Sequence, residues 1–492
     1  MNRKRVVLLV LALLLAGSGL AAAQAPGRIE GRVTRADGTG LGGVMVRIDE
    51  VEAVTLTESD GSFVLANVPP GTYTVTFELL DRSDSQAGVE VTSGGTTRVD
   101  KSVDWDVSFA ETITVTSVSR RVERITEAPA AVTLVTEQEI EREAAHGQLP
   151  KLLEFTPGAE VTQSGVYDFN FNTRGLNSSL NRRVVTLIDG RDPSVPFLGA
   201  QEWAAISFPL DDLASAELVR GPSSALYGAN AYNGVLNLTT KQPRYSQGGE
   251  VRLTAGELGT TNGDFRWAAG LGNEFYLKLL GGYHASEDYT VSRNERPDYL
   301  VFCTASGQQD CLPRERIPLV IEDDDEIKFG GIRLDKYLAG GSFFTLEGGK
   351  AELEGPVYQT GIGRVQLTDV NRPWGRANFT SAHWNVLGTY NRRDANDQRA
   401  LASGAQLYLD DENWGVELQG NSEFAGGRGR IVGGLSYGEE SIDSANSQGV
   451  QPLVFRPVDS DSQAAYAQAD FDITDRIKLV LAGRYDESSL HD

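Results

Sequence analysis

The sequence predicts a mainly β protein in three parts: a small N-terminal β-sandwich, a compact α+β domain, and a C-terminal antiparallel transmembrane β-barrel. Three observations point there. The 492 residues are 40% apolar but only 8% aromatic, include 54 glycines, and show almost no long helical periodicity. Residues 27–106 fall into short alternating runs at even spacing, the pattern of a sandwich. From about residue 248 the alternating segments lengthen, each with one apolar row and one polar or small row, as in a membrane barrel. An ordinary soluble sandwich face shares that alternation and is the competing reading. The net charge of -23, without any basic patch, argues against a nucleic-acid partner.

The chain opens MNRKRVVLLVLALLLAGSGLAAAQA. Arg3, Lys4 and Arg5 precede an apolar run from Val6 to about Ala16, and small residues follow at Ala21 and Ala23. This is the form of a signal peptide over residues 1–23, which implies export from the cytoplasm. A membrane anchor needs ~20 apolar residues, and Gly17-Ser18-Gly19 interrupts the run before that.

In the sandwich, residues 27–106, the runs RIEGRVT, GVMVRI, AVTLTE, SFVLA, TYTVTFEL and TTRVDKSV are the expected strands. Asp37-Gly38, Asp60-Gly61, Pro69-Pro70-Gly71 and Gly94-Gly95 supply turn chemistry between them. Gly38, Gly40 and Gly43 satisfy G-x-G-x-x-G, but VMVRI follows rather than a helix, so they read as a hairpin turn and not a dinucleotide loop.

ETITVTS, residues 111–117, alternates Thr112, Thr114 and Thr116 with Ile113 and Val115 and reads as one more strand. It either finishes the sandwich or stands without a partner in its own chain, and a strand in that state invites pairing from outside. The α+β domain, residues 118–246, follows. Thr136 with Glu139 three residues on forms a capping box that opens a short helix at TEQEIEREAAH. VVTLIDG and VLNLTTK are strand segments set among Gly, Asn, Ser and Pro.

In the barrel, residues 247–492, EFYLKLLGGYH, HWNVLGTYN, NWGVELQGN, RIVGGLSYG and RIKLVLAGRYD are representative strands, with Trp384, Trp414, Tyr390 and Tyr437 near strand ends as interface aromatics. Gly434-Leu435-Ser436-Tyr437-Gly438 copies a nucleophile-elbow string but lies inside an alternating strand, without the strand-turn-helix that a hydrolase needs. EDDDE, residues 322–326, lacks calcium-loop spacing and reads as a solvated rim. His146, His284, His383 and His491 are scattered, so no metal site is expected. Cys303 and Cys311, in CTASGQQDC, close a small disulfide loop in an oxidising compartment or remain as two surface thiols.

Two resemblances add to this reading. ESDGSFVLANVPPGTYTVTF resembles the carboxypeptidase regulatory-like, transthyretin-like domain, which implies a positioning module rather than an enzyme. The whole order of signal, sandwich, TITVT, TRGL, VRGPSSALYGANAYNGVLNLTTK and barrel strands resembles TonB-dependent outer-membrane receptors. That likeness implies a plug domain inside the barrel, with motif positions Arg174, Gly175, Arg220, Gly221, Ser224, Tyr227, Gly228, Gly234 and Asn237. Asn233 stands where a second glycine is usual, and Asn tolerates the same left-handed backbone. Arg174 and Arg220 are expected to meet inward barrel carboxylates, or else to solvate loops.

The resemblance further implies that Thr112, Ile113, Thr114, Val115 and Thr116 form the Ton box, met by a TonB-type periplasmic energy-coupling protein through strand addition. It implies a non-enzymatic importer in the cell outer membrane, with the sandwich in the periplasm, lipid around the barrel, and an extracellular ligand whose default is a ferric siderophore. Importers of glycans, peptides or cobalamin, and a surface adhesin or glycan-binding protein using the sandwich, are the rivals. No cofactor is expected. Plugged transporters close with on the order of 22 strands, and residues 247–492 hold roughly 12 of the expected length. The chain therefore reads as carrying about half of such a barrel, and it stops at Ser489-Leu490-His491-Asp492 rather than on a terminal aromatic.

Overall fold

The computed structural model describes residues 26–103, 114–115, 123–124, 130–173, 183–288, 324–338 and 342–490, apart from short breaks within loops. It divides into two units, one ending at Ile113 and one beginning at Thr114. Residues 1–23, read above as a signal peptide, and Arg174, Gly175, Cys303 and Cys311 lie outside the described residues.

The first unit is a sandwich of two sheets. One sets Ser62–Val68 antiparallel to Gly27–Arg35, whose other side takes Thr96–Arg98 and Lys101–Val103 in parallel. The other runs in the order Ala53–Leu56, Met45–Ile48, Gly71–Leu79, Arg82–Val91. Alternate residues Ile29, Val33, Val46, Ile48, Phe63, Val75 and Phe77 point inward and form its core, with Phe63 edge-on to Phe77 at 5.9 Å. Both halves of the regulatory-domain motif have a local cause. Gly61 turns at φ 86, where a Cβ would lie 2.2 Å from the Val33 carbonyl oxygen. The Tyr73 hydroxyl donates to the Pro69 carbonyl at 2.8 Å and ties the Pro-Pro-Gly turn to its strand.

In the second unit a four-stranded sheet runs Ala131–Thr136, Leu213–Arg220, Gly234–Thr240, Val184–Ile188, with only the last pairing parallel. A separate hairpin joins Ala159–Gln163 to Phe169–Thr173. The helix Glu137–Glu143 starts as its sequence demands. The Glu139 amide donates to Thr136 Oγ1, and the Thr136 amide donates back to the Glu139 carboxylate at 2.8 Å. Ile140, Leu153, Phe171, Leu213, Leu218 and Leu236 fill the core between them. Trp203 stands edge-on to Phe171 at 6.2 Å and donates its indole N–H to the Phe169 carbonyl at 3.1 Å.

Around this domain, among the described residues, 12 antiparallel strands from Gly248–Ala255 to Ile477–Ser488 form one curved wall. Period-two alternation decides the two faces. In Phe275–Glu287, Lys278 and His284 are buried on the inner face while Phe275 and Tyr283 are exposed on the outer one. Tight hairpins join strands at one end, as at Asn273 and Glu274, whose φ values of 52 and 61 suit a type I′ turn. The nucleophile-elbow string lies within the strand Gly429–Asp443, as alternation requires. The sheet is open. Gly248–Ala255 and Ile477–Ser488 each have one strand neighbour among the described residues.

Candidate functional site

The strand at ETITVTS finds a partner in its own chain. Thr114–Val115 pairs antiparallel with Glu123–Arg124, a ladder of two residues on each side. Thr112, Ile113 and Thr116 lie outside the described residues.

The described motif residues close the α+β domain against the wall. Arg220 ends one strand, Gly221 turns at φ 112, Ser224–Tyr227 makes one helical turn, and Gly228 turns again at φ 86. Gly234 then starts the next strand directly opposite Arg220, and Asn237 lies between Glu217 and Leu187 in the register. A Cβ on Gly234 would come 2.2 Å from the Val219 carbonyl oxygen, so the close approach itself requires glycine. The helical turn rests on the strands Val458–Thr474 and Ile477–Ser488. Asn233 owes its place to something other than left-handed backbone, which it does not adopt. Its side-chain amide donates to Asn172 Oδ1 at 2.9 Å, and its carbonyl accepts from the Gly221 amide at 2.7 Å.

Among the described residues, Arg220 does not meet a barrel carboxylate. Its guanidinium donates to the Pro157 carbonyl inside the same domain. Most ion pairs across the seam have the opposite polarity, with acids on the inner domain and bases on the wall; Arg244 with Glu274 at 3.7 Å is an exception. Asp168 meets Arg364 at 3.2 Å, Asp211 meets Arg252 at 2.5 Å, and Asp212 meets Lys278 at 2.6 Å with Arg266 at 3.9 Å. Asp189 faces Arg333 at 3.9 Å. Glu202, only 1% exposed, bridges Arg372 and Arg393, the latter at 2.8 Å. The sequence carried a signal for these acids that loop-like composition concealed. Asp211-Asp212 interrupts the apolar run FPLDDLASAELV, and carboxylates buried there need cations.

Burial by itself raises the Glu202 pKa, but Arg393 and Arg372 outweigh it and hold the carboxyl below its ordinary value. Asp189 is likewise held down, with Arg376 and Arg333 overcoming desolvation. At Asp212 burial wins over Lys278 and the pKa goes up. Burial also wins at Asp168 over Arg364. The seam thus mixes secure pairs with marginal ones. Neutral contacts complete it: Arg191 lies 4.2 Å from the Trp374 ring centre and donates to Asn391 Oδ1 at 2.8 Å, while the Trp374 indole N–H donates to Ser207 Oγ at 2.7 Å. Among the described residues no group of three or more His, Cys, Asp or Glu is placed to hold a metal. The seam also holds an apolar cluster, in which Val166, Tyr167, Val195, Leu198 and Ala204 of the inner domain pack with Ile327, Phe329, Leu353 and Val370 of the wall. Its ion pairs and hydrogen bonds can exchange partners with water when it opens, which the apolar part cannot do.

Comparison with known proteins agrees with this architecture. The family model of the TonB-dependent Receptor Plug Domain matches residues 124–235, that of the Carboxypeptidase regulatory-like domain residues 28–103, and that of the TonB dependent receptor-like β-barrel residues 358–492. Over 195 residues the chain is 32% identical to the vitamin B12 transporter BtuB of Vibrio vulnificus, covering 39% of this chain and 30% of that protein. The siderophore receptor PirA from Pseudomonas aeruginosa aligns with TM-score 0.51 at 15% identity, over 74% of this chain and 59% of its own. The alcaligin receptor FauA from Bordetella pertussis aligns with TM-score 0.52 at 15% identity, over 76% and 58%. At that identity the likeness is one of fold. The chain spans under a third of the curated relative and just under three fifths of these solved receptors.

Proposed function

From a chain that carries the plug and β-barrel domains of the TonB-dependent receptors behind a carboxypeptidase regulatory-like domain, we propose an outer-membrane receptor that imports a scarce ligand with energy delivered from the periplasm. The observation that supports this reading is the seam, where buried plug carboxylates meet wall cations; such pairs can exchange partners with water. An importer needs a plug that is held and yet movable. The ligand we favour is a ferric siderophore. Cobalamin is the second reading, favoured by the stretch of identity with a vitamin B12 transporter. Uptake of labelled ferric siderophores against labelled cyanocobalamin, in cells that have this receptor as their sole importer of either, separates the two.

Energy coupling is assigned to Thr112–Thr116. Successive residues in a strand direct their main-chain groups to opposite edges, so a partner strand uses either the set Ile113 and Val115 or the set Thr112, Thr114 and Thr116. The ladder from Thr114–Val115 to Glu123–Arg124 already occupies one edge. Proline removes one N–H donor, so proline scanning through the segment is expected to give alternating severe and mild loss of uptake. Ligand binding at the cell surface should persist throughout. Uniformly harmless substitutions would refute strand addition.

A further inference from the structure

On the outer face of the wall, near its long-loop end, Trp414 and Tyr437 stand on the neighbouring strands Gln406–Phe424 and Gly429–Asp443, with ring centres 5.6 Å apart. Just beyond them, farther from the tight hairpins, come Glu412, Glu439, Asp459 and Asp461, and together these residues line a groove of about 310 Å³. Among the described residues, no lysine or arginine lines it. Arg392 approaches only its margin, 3.7 Å from Glu412. Glu439 is the fixed point. The Trp414 indole N–H donates to one of its oxygens at 3.2 Å, and the Tyr437 hydroxyl donates to the other at 2.7 Å. Each oxygen keeps a lone pair free to accept a further hydrogen bond.

The level of this groove on the wall follows from the residues beneath it. Val416, Leu418 and Leu435 are exposed on the same face one and two steps toward the tight hairpins, so the groove lies where an apolar band gives way to a charged rim. In a membrane that boundary is the headgroup level, where Trp and Tyr collect. Five acidic residues line the groove, Glu440 with the four named, and they repel phosphate alone. A protonated amine is attracted by them and also by the faces of the two rings. The geometry points to a headgroup site for an outer-leaflet lipid bearing a primary ammonium, whose N–H groups donate to Glu439 and Asp461 while its methylene lies against Trp414 and Tyr437. This rests on the reading of the wall as an outer-membrane barrel.

The test uses the receptor with its wall closed into a barrel, both edge strands paired, purified from outer membranes in detergent and offered equal amounts of phosphatidylethanolamine and phosphatidylglycerol with matched chains, retained lipid being counted by native mass spectrometry. Retention of the amine lipid is expected to exceed that of phosphatidylglycerol by about tenfold, the equivalent of one charge-assisted hydrogen bond. The double substitution Glu439→Gln, Asp461→Asn should bring the ratio near one with heat-modifiable migration intact, and N-acetylation of the amine should do the same in the unaltered receptor. Equal retention by the unaltered receptor overturns the site, as does a preference that survives the double substitution. Phosphatidylglycerol retention that appears with magnesium and disappears with chelator also overturns it, because the carboxylates then act through a bridging cation. Absence of a heat-modifiable species from outer membranes removes the membrane reading itself, and so is distinguishable from failure of the site alone.

Discussion

Glu202 is the seam carboxylate that two wall arginines, Arg372 and Arg393, share. Arg393 keeps other acceptors, the Leu409 carbonyl and Gln398 Oε1, but among the described residues Arg372 has besides Glu202 only the Pro193 carbonyl. Glu202→Ala therefore strands a buried guanidinium, and the seating of the plug should weaken by about 3–5 kcal/mol. Hydrogen exchange across residues 201–213 of the receptor measures this, with a large loss of protection expected. His146 makes a pH-dependent prediction at the same scale. Its Nδ1 accepts the Gln148 amide at 2.9 Å, so the ring is neutral, and burial followed by the charge of Lys151 lowers its pKa from 6.5 to about 4. Between those values the unfolded chain binds the proton and the folded one does not. The ring's stabilising contribution is thus complete above pH 6.5, falls as the pH drops toward 4, and does not change further below that. Protection factors in residues 144–153 should fall severalfold from pH 7 to pH 5, and His146→Gln should flatten the dependence.

At the scale of elements, the helix Glu137–Glu143 hangs on its cap. Thr136→Ala removes the side-chain acceptor and is expected to cost about 1 kcal/mol, read as earlier fraying of that helix in hydrogen exchange. This element was legible because its code is local, two residues three apart. The wall strands were legible because each repeats a two-residue period over 12 or more residues in most cases. The sandwich strand Arg82–Val91 escaped the reading. Its RSDSQAG half is polar on both faces, and only Val89 and Val91 enter the core. The polarity of the seam escaped for a different reason. Asp212 and Lys278 are 66 positions apart and Glu202 and Arg393 are 191 apart, so neither pairing leaves a periodic trace. Arg220, conspicuous in its motif, spends its guanidinium on a neighbouring loop.

For the whole molecule, the open sheet decides behaviour. The strands Gly248–Ala255 and Ile477–Ser488 each leave a row of main-chain N–H and C=O groups without a strand neighbour among the described residues, flanked by exposed Val251, Leu253, Leu479 and Leu481. Lipid offers those groups no hydrogen bonds. These 492 residues expressed alone should aggregate, by the same edge-to-edge pairing that closed barrels avoid. Semi-native electrophoresis of membrane fractions checks this, and a heat-modifiable inserted monomer would contradict it.

The polarity of the seam also bears on what the passage favours once it is open. Asp168, Asp189, Glu202, Asp211 and Asp212 travel with the plug, whereas Arg252, Lys278, Arg333, Arg364, Arg372 and Arg393 belong to the wall. Displacement of the plug would take counter-charges from Arg252, Lys278, Arg364, Arg372 and Arg393, while Arg333 keeps Asp335 of the wall at 2.9 Å. Rings of arginine and lysine select anions in pores. In the proposed importer, movement of the plug would thus do more than make room: it would shift the preference of the lumen toward negatively charged solutes for as long as the gap lasts.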